Sequence, residues 1–413
     1  MRKTDKHTIP DFIYKLSNES WDCVFDSEDL DLMFNSFLNT YMRIFYSSFP
    51  LIRSKSRNNK LDWLTSGIKT SCEHKRGLFL LLRSSNNPAL KQYYKLYCKT
   101  LVKVIKEAKR MTLDERILKS NNKSKTTWDI INELLGKQHT TQDIQKLTID
   151  GNHLTNHQSI ADAFNKYFSS IVDKTNSHGI GIKNHGKLSA YNYLVQQGGD
   201  SFSPLVFKCT STREIISIIS IISIISIIKS LNMKNSFGYD EISTKILKIS
   251  TNFICSPLTY IFNKSVSKGI FPERLKYSIV KPFHKKGTKT DPSNYRPISM
   301  LTAFSKVLEK VLYNRLMDYL NSNNLLNSQQ FGFRKRLSTD DAIFKLTHEI
   351  LNALNNKVMV GSIFFNLAEA FDSVNHSLLI NKIPYYGITG KAKLLIESYL
   401  TNRFQRVQLD STI

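Results

Sequence analysis

Negative charge is what this chain has least of: 34 Asp and Glu stand against 58 Lys and Arg, a formal net charge of +24 over 413 residues. A balance so one-sided argues against an acidic or neutral binding surface and favours a polyanionic partner such as RNA or DNA. Cysteine is also sparse. The five, at 23, 72, 98, 209 and 255, are odd in number, widely spaced and form no C-x-x-C. That pattern points neither to a disulfide framework nor to a zinc knuckle and suits a reducing, intracellular setting, nucleus or cytoplasm left open. The first residues, Met-Arg-Lys-Thr-Asp-Lys-His, lead into no apolar core of signal-peptide type. The longest apolar stretch, residues 215–228, is too short and too interrupted by Ser for a membrane span, so no membrane partner is expected.

What is present divides into three. A chain of this length holds two or three domains with a real core. Residues 1–137 read as a basic helical region. Its best segment runs over 91–110, where Tyr94, Tyr97, Leu101, Val104, Ile105, Ala108 and Met111 recur at helical spacing. Lys95, Lys99, Lys103, Lys106 and Arg110 fall on the other side, within roughly 80° of arc at about 100° per residue. Such a ridge either tracks a phosphate backbone or is an ordinary solvated face.

Residues 138–235 read as a linker with short helices. They hold one amphipathic stretch (Ile160, Phe164, Tyr167, Phe168, Ile171), a run rich in Gly, Asn, His and Ser over 176–199, and an Ile-Ile-Ser repeat over 215–228. A period of three matches neither 3.6 nor 2, so the repeat predicts neither an amphipathic helix nor a half-buried strand. If exposed, it is an aggregation hazard.

From 236 to 413 the pattern becomes regular. One helix carries Ile242, Ile246, Leu247 and Ile249. A second carries Leu258, Ile261, Phe262 and Val266 and stops at Gly269 and Pro272. Residues 278–283 read as a strand that Pro282 marks as an edge. A helix follows on Val307, Leu308, Val311, Leu312, Leu316, Tyr319 and Leu320. Another is capped by Ser338 or Thr339, with Ile343, Leu346, Ile350 and Leu354 inward. An apolar run over 358–365 predicts a strand that ends at Asn366. Strands alternating with helices give an α/β (α+β) core.

The order of several short motifs then carries a resemblance. Gly238-Tyr239-Asp240, Gly269-Ile270-Phe271-Pro272, Lys285-Lys286-Gly287, Asn294-Tyr295-Arg296-Pro297-Ile298-Ser299, Gln330-Phe331-Gly332-Phe333-Arg334 and Ala370-Phe371-Asp372 together resemble the reverse transcriptase domain of non-LTR (LINE-type) retrotransposons. More softly, Trp63, Lys75-Arg76, Ala108-Lys109-Arg110 and Thr127-Trp128 resemble the basic stretch that precedes that domain. The resemblance implies a partial right-hand polymerase fold, with fingers and an incomplete palm, and RNA or an RNA/DNA template-primer as partner. It implies Lys285 and Arg296 on the incoming triphosphate, Phe371 as the gate beside the sugar, and Gln330, Phe331 and Arg334 on the template. Oligomeric state is not implied.

The family holds two Mg²⁺ ions with carboxylates. One comes from the position occupied here by Asn366, the others from an aromatic-x-Asp-Asp hairpin that does not occur among the 413 residues. A neutral amide does not hold Mg²⁺ as a carboxylate does. Glu369 and Asp372 are expected to point elsewhere, and Pro384 to kink a helix that the family continues. The expectation is therefore an internal piece of a retrotransposon protein that holds no metal as given, with polymerase activity in its ancestry and at most nucleic-acid binding now. The rivals are an active polymerase completed by another segment and a translated relic without function.

Overall fold

The computed structural model describes residues 2, 4, 7–51, 63–84, 87–120, 122–135, 144–149, 151–177, 204–205, 215–233, 236–366, 370–371 and 374–409. Two compact units emerge: Ile52–Asp143, and Arg2–Leu51 together with Ile144–Ile413. Most of the linker run at 176–199, together with Glu369, Asp372 and the last four residues, lies outside the described set.

The chain opens with α1 (Thr8–Ser17), α2 (Asp22–Phe25) and α3 (Leu30–Ser48), all in the larger unit. The smaller unit is a helical array of α4 (Ser66–Ser84), α5 (Pro88–Leu118) and α6 (Lys123–Leu134). Asn87 starts α5 by accepting from the Ala89 and Leu90 amides, and Pro88 occupies the first turn, where its missing N–H is harmless. Arg116 and Glu133 join α5 to α6 by two parallel hydrogen bonds of 2.7 and 2.8 Å. The apolar side of α5 is shallower than its periodicity implies: Leu101 is buried, but Val104 and Met111 are exposed, because two neighbouring helices cover only part of a 31-residue surface.

The larger unit continues with a small hairpin, β1 (Leu147–Ile149) and β2 (Asn152–Leu154), and then α7 (His157–Ser177), α8 (Ile215–Ser230) and α9 (Thr244–Lys268). Strands β3 (Tyr277–His284) and β4 (Tyr295–Met300) follow. Helices α10 (Ala303–Ser322), α11 (Thr339–Asn355), α12 (His376–Lys382) and α13 (Gly390–Leu400) precede β5 (Phe404–Val407). The architecture is mixed helix and sheet.

Its core is aromatic and unites both ends of the sequence. Phe12 of α1 and Phe34, Phe37, Tyr41 and Phe45 of α3 are buried with the apolar faces of α9 and α10. Phe304 stands edge-on to Phe37 (5.4 Å) and Tyr41 (5.3 Å), an arrangement that matches ring edge to ring face. The Tyr41 hydroxyl pairs with Ser250 Oγ at 2.8 Å, so its one polar atom is satisfied.

Three local expectations are corrected here. The two helices expected between 242 and 266 are one, α9, with Pro257 inside it. Pro257 cannot donate to the Phe253 carbonyl four residues back, and the Trp21 indole N–H supplies that bond instead, at 3.1 Å. The Ile-Ile-Ser repeat forms a helix after all, α8. It lacks a polar face, and Ile224, Ile227 and Ile228 enter the core beside α9 and α10, so burial rather than amphipathicity holds it. Finally, Pro282 sits in a central strand, since the sheet order is β4-β3-β5.

That proline is tolerated for a local reason. Strand β5 pairs parallel with β3 from Tyr277 to Val280, and the Gln408 amide adds a bond to the Val280 carbonyl; among the described residues no strand pairs with β3 on that side beyond this point. On the other side Pro282 faces Pro297 in the antiparallel β3–β4 pair. The Lys285 amide donates to the Asn294 carbonyl, and alternation from that bond leaves the Pro282–Pro297 pair at a position where neither nitrogen need donate. Helix α7 closes one face of the sheet, with Phe164 against Tyr295 (4.9 Å) and Phe168, Val280 and Val407 alongside.

The largest departure comes after α10. Helix α11 forms as its capping signals require: the Ser338 hydroxyl accepts from the Asp341 amide, and the Asp341 carboxylate accepts from the Ser338 amide. Yet no residue of α11 is buried, and Ile343, Leu346 and Leu354, expected to face inward, are exposed. The strand expected over 358–365 is absent as well. Those residues form neither helix nor ladder, and Phe364 and Phe365 are 81% and 84% exposed. A strand needs a neighbour to bond with, and none lies beside this segment among the described residues.

Candidate nucleic-acid interface

The β3–β4 hairpin is held by six paired residues on each strand and by side-chain bonds at its turn. Between its strands the turn is locked by Asn294, whose Nδ2 donates to the Thr288 carbonyl at 3.0 Å, and by the Tyr295 hydroxyl, which donates to the Lys289 carbonyl at 2.7 Å. Gly287 has a φ of +78°, and a Cβ there would lie 2.7 Å from Asn294 Nδ2, so both backbone and space require glycine. Lys285 projects exposed from this turn and Arg296 from β4. Arg296 is paired across the ladder with Phe283, and alternation puts it on the sheet face opposite Tyr295, Pro297 and Ser299.

Phe371 stands elsewhere. It is 73% exposed and lines a cleft of about 750 Å³ with Pro297, Ser299, His376 and Arg403. Neither Lys285 nor Arg296 lines that cleft. Its ring meets Phe333 edge to face at 5.4 Å, which brings the Phe371 turn to the 330–334 segment. Within that segment Gln330 is exposed and its Nε2 donates to the Gly332 carbonyl (3.3 Å), Phe331 is half-buried, and Arg334 donates to the Asn327 carbonyl (3.0 Å). The structure thus groups Phe371 with the segment expected at the template and leaves the two cations expected at the triphosphate apart from it, Arg296 on the other face of the hairpin and Lys285 at its turn.

Asn366 ends that segment and is exposed. The donors present do not fit a pair of divalent ions: the side chain at 366 is an uncharged amide, and among the described residues no three His, Cys, Asp or Glu side chains cluster.

One carboxylate that sequence reasoning passed over is Asp240, buried where residues 238–240 turn against the start of α10. A Cβ on Gly238 would lie 2.7 Å from the Thr302 nitrogen, so only glycine permits that approach. Asp240 Oδ1 accepts from the Ile242 amide (3.2 Å), while its Oδ2 is buried without a hydrogen-bond partner. Burial raises its pKa to about 7 against the opposing pull of that amide and of Lys306 and Arg274. Its only signal in the sequence is the spacing Gly238-x-Asp240.

In the smaller unit Lys95, Lys99, Lys103, Lys106 and Arg110 are all exposed along α5. Arg110 is held at 2.7 Å by Glu107, which offsets part of its charge. Nearby, Lys109 lies over the Trp63 ring at 4.7 Å. The ridge is five cations long on a capped helix, a geometry that can follow a phosphate chain.

Comparison with known proteins adds a second line. Residues 283–412 match the family described as reverse transcriptase (RNA-dependent DNA polymerase). A probable RNA-directed DNA polymerase from transposon BS of Drosophila melanogaster is 35% identical over 182 residues, 42% of this chain and 19% of the relative. Another from the X-element of the same fly is 33% identical over 183 residues, 43% of this chain and 19% of the relative. The RNA-directed DNA polymerase from mobile element jockey is 29% identical over 181 residues, 44% of this chain and 20% of the relative. The chain spans about a fifth of the length of these relatives.

Proposed function

We propose, from the premise that residues 283–412 are a reverse transcriptase segment of the non-LTR retrotransposon kind, that this chain binds RNA or an RNA/DNA template-primer and does not extend it. The observation that carries the reading is the amide of Asn366, exposed at the end of an unpaired segment, where the family places a metal-binding carboxylate. The parts that support binding are, in the larger unit, the hairpin bearing Lys285 and Arg296 and the 330–334 segment beside Phe371, and, in the smaller unit taken by itself, the cationic ridge of α5. Polymerase activity belongs to its ancestry.

Primer extension on an RNA template with Mg²⁺ gives no templated incorporation on this reading, while fluorescence anisotropy finds RNA binding whose affinity falls linearly with salt on logarithmic axes. Incorporation by the chain alone overturns the inactive half of the proposal. Absence of RNA binding at low salt overturns the other half.

A second reading, a polymerase frame completed by another segment, is favoured by the bare apolar side of α11 and of residues 358–365. Activity that appears only when Asn366→Asp is combined with a polypeptide carrying the Asp-Asp hairpin supports it.

A further inference from the structure

Away from the hairpin turn, two adjoining clefts of about 560 and 680 Å³ meet along the β3–β5 seam, the first sharing Ser278, Phe404 and Gln405 with the Phe371 cleft. Tyr239, Ile279 and Arg406 line both, so they form one groove. At one end the Tyr277 and Phe404 rings are stacked, with centroids 5.2 Å apart and planes at 18°, and each is about half exposed. Tyr239 closes the stack edge-on at 6.1 Å, and its hydroxyl is pinned to the Arg274 carbonyl at 2.9 Å. Arg406 stands exposed on the groove, opposite Ile279 in the parallel pairing. The far wall carries polar groups, with Glu241 held by Arg2 among them. Asp162 and Gln408 line it, and so does Asn165, whose Oδ1 is buried without a hydrogen-bond partner.

These features converge on one ligand chemistry. A fixed, half-exposed aromatic stack offers a flat face to a base of any identity, and a neighbouring guanidinium suits a phosphate. An unsatisfied amide oxygen beyond them calls for a donor, which a ribose 2′-hydroxyl supplies and a deoxyribose does not. We infer that this groove binds single-stranded RNA, with a base stacked on Tyr277 and Phe404, an adjacent phosphate on Arg406 and a 2′-hydroxyl donating to Asn165. The inference rests on the reading that the chain binds RNA and assigns it a site separate from the residues already named. A peptide occupant is disfavoured by the cation beside the stack and by the chain's charge of +24.

The test uses the full chain and a fluorescent 12-nucleotide oligouridylate, with its deoxy counterpart as the second arm. Tyr277→Leu with Phe404→Leu keeps apolar bulk but removes the stacking faces, and is expected to weaken RNA binding about tenfold or more, with Arg406→Gln adding to the loss. Asn165→Leu is expected to remove the preference for RNA over DNA. Ultraviolet crosslinking of the unaltered chain is expected to mark the peptides holding Tyr277 or Phe404, which keeps the test decisive if the double variant fails to fold. Undiminished affinity in these variants with no crosslink at the seam overturns the groove but leaves RNA binding elsewhere intact. Equal affinity for both oligonucleotides overturns the hydroxyl contact, and no binding by the unaltered chain overturns both this inference and the proposed function.

Discussion

Helices α9 and α11 are similar on paper and opposite in place. Each begins with a serine whose hydroxyl accepts from the first turn, Ser243 and Ser338, and each has apolar residues at helical spacing. More than half of α9 is buried, between the aromatic face of α3 and the helices α8 and α13, whereas α11 buries nothing. A helix needs only local signals to form, and α11 has the stronger cap. Burial needs a second surface, and periodicity says which side wants one without saying whether it exists.

The widest gap between these two regions is expected from aromatic truncation. Phe304→Ala, at a ring packed on Phe37 and Tyr41, is expected to cost about 3–5 kcal/mol, while Phe364→Ala is expected to stay within about 0.5 kcal/mol. Urea midpoints of the two variants measure the contrast. A comparable loss at Phe364 would mean that residues 358–366 are covered in solution.

The buried carboxyl on the core side gives a pH signature. Burial lifts Asp240 to about 7 in the folded chain. An unfolded Asp titrates near 3.9, so the folded state holds this proton more tightly. Its contribution to stability is fully present below pH 4, declines as pH rises toward 7 and is gone above that, a loss of at most about 4 kcal/mol. Glu309, also raised by burial, slopes the same way. The measurement is therefore the difference between the chain and Asp240→Asn: the variant is expected to lose much of the fall in stability between pH 5 and pH 8, and parallel curves would refute the assignment.

The smallest effect concerns the cap on the exposed side. Ser338→Ala removes the hydroxyl that accepts from Asp341 and is expected to cost the helix about 1 kcal/mol. Because α11 is not docked on the core, the loss should appear as local fraying in amide exchange over 339–355, with the global urea midpoint unchanged. A shift in that midpoint would show that α11 is coupled to the core.

The placement of some candidate residues on their elements could be read before the fold was known. Lys285 and Arg296 fall on a hairpin whose turn chemistry, Lys-Lys-Gly and then Asn294, is local. The five cations of α5 follow from helical geometry alone. Other placements were not legible because they depend on distant pieces of chain. Pro257 is accommodated by Trp21, more than two hundred residues earlier. Pro282 reads as an edge residue but lies in the central strand, because β3 is flanked by a strand more than a hundred residues later in the sequence. The Tyr277–Phe404 stack arises from a parallel pairing across more than a hundred residues, for which neither strand carries a mark of its own.

By itself the amino-acid order determined the charge, helices such as α5 and the capped α11, the motif series that resembles a reverse transcriptase, and the amide at 366 where a carboxylate is expected. These are local properties, set by residue type and spacing. The tertiary structure alone decided that the Ile-Ile-Ser repeat is helical core, that Phe371 and Arg296 stand apart, and that residues 358–366 form no strand. Each of those outcomes depends on which surfaces find a partner, and partner choice is a property of the whole packed chain.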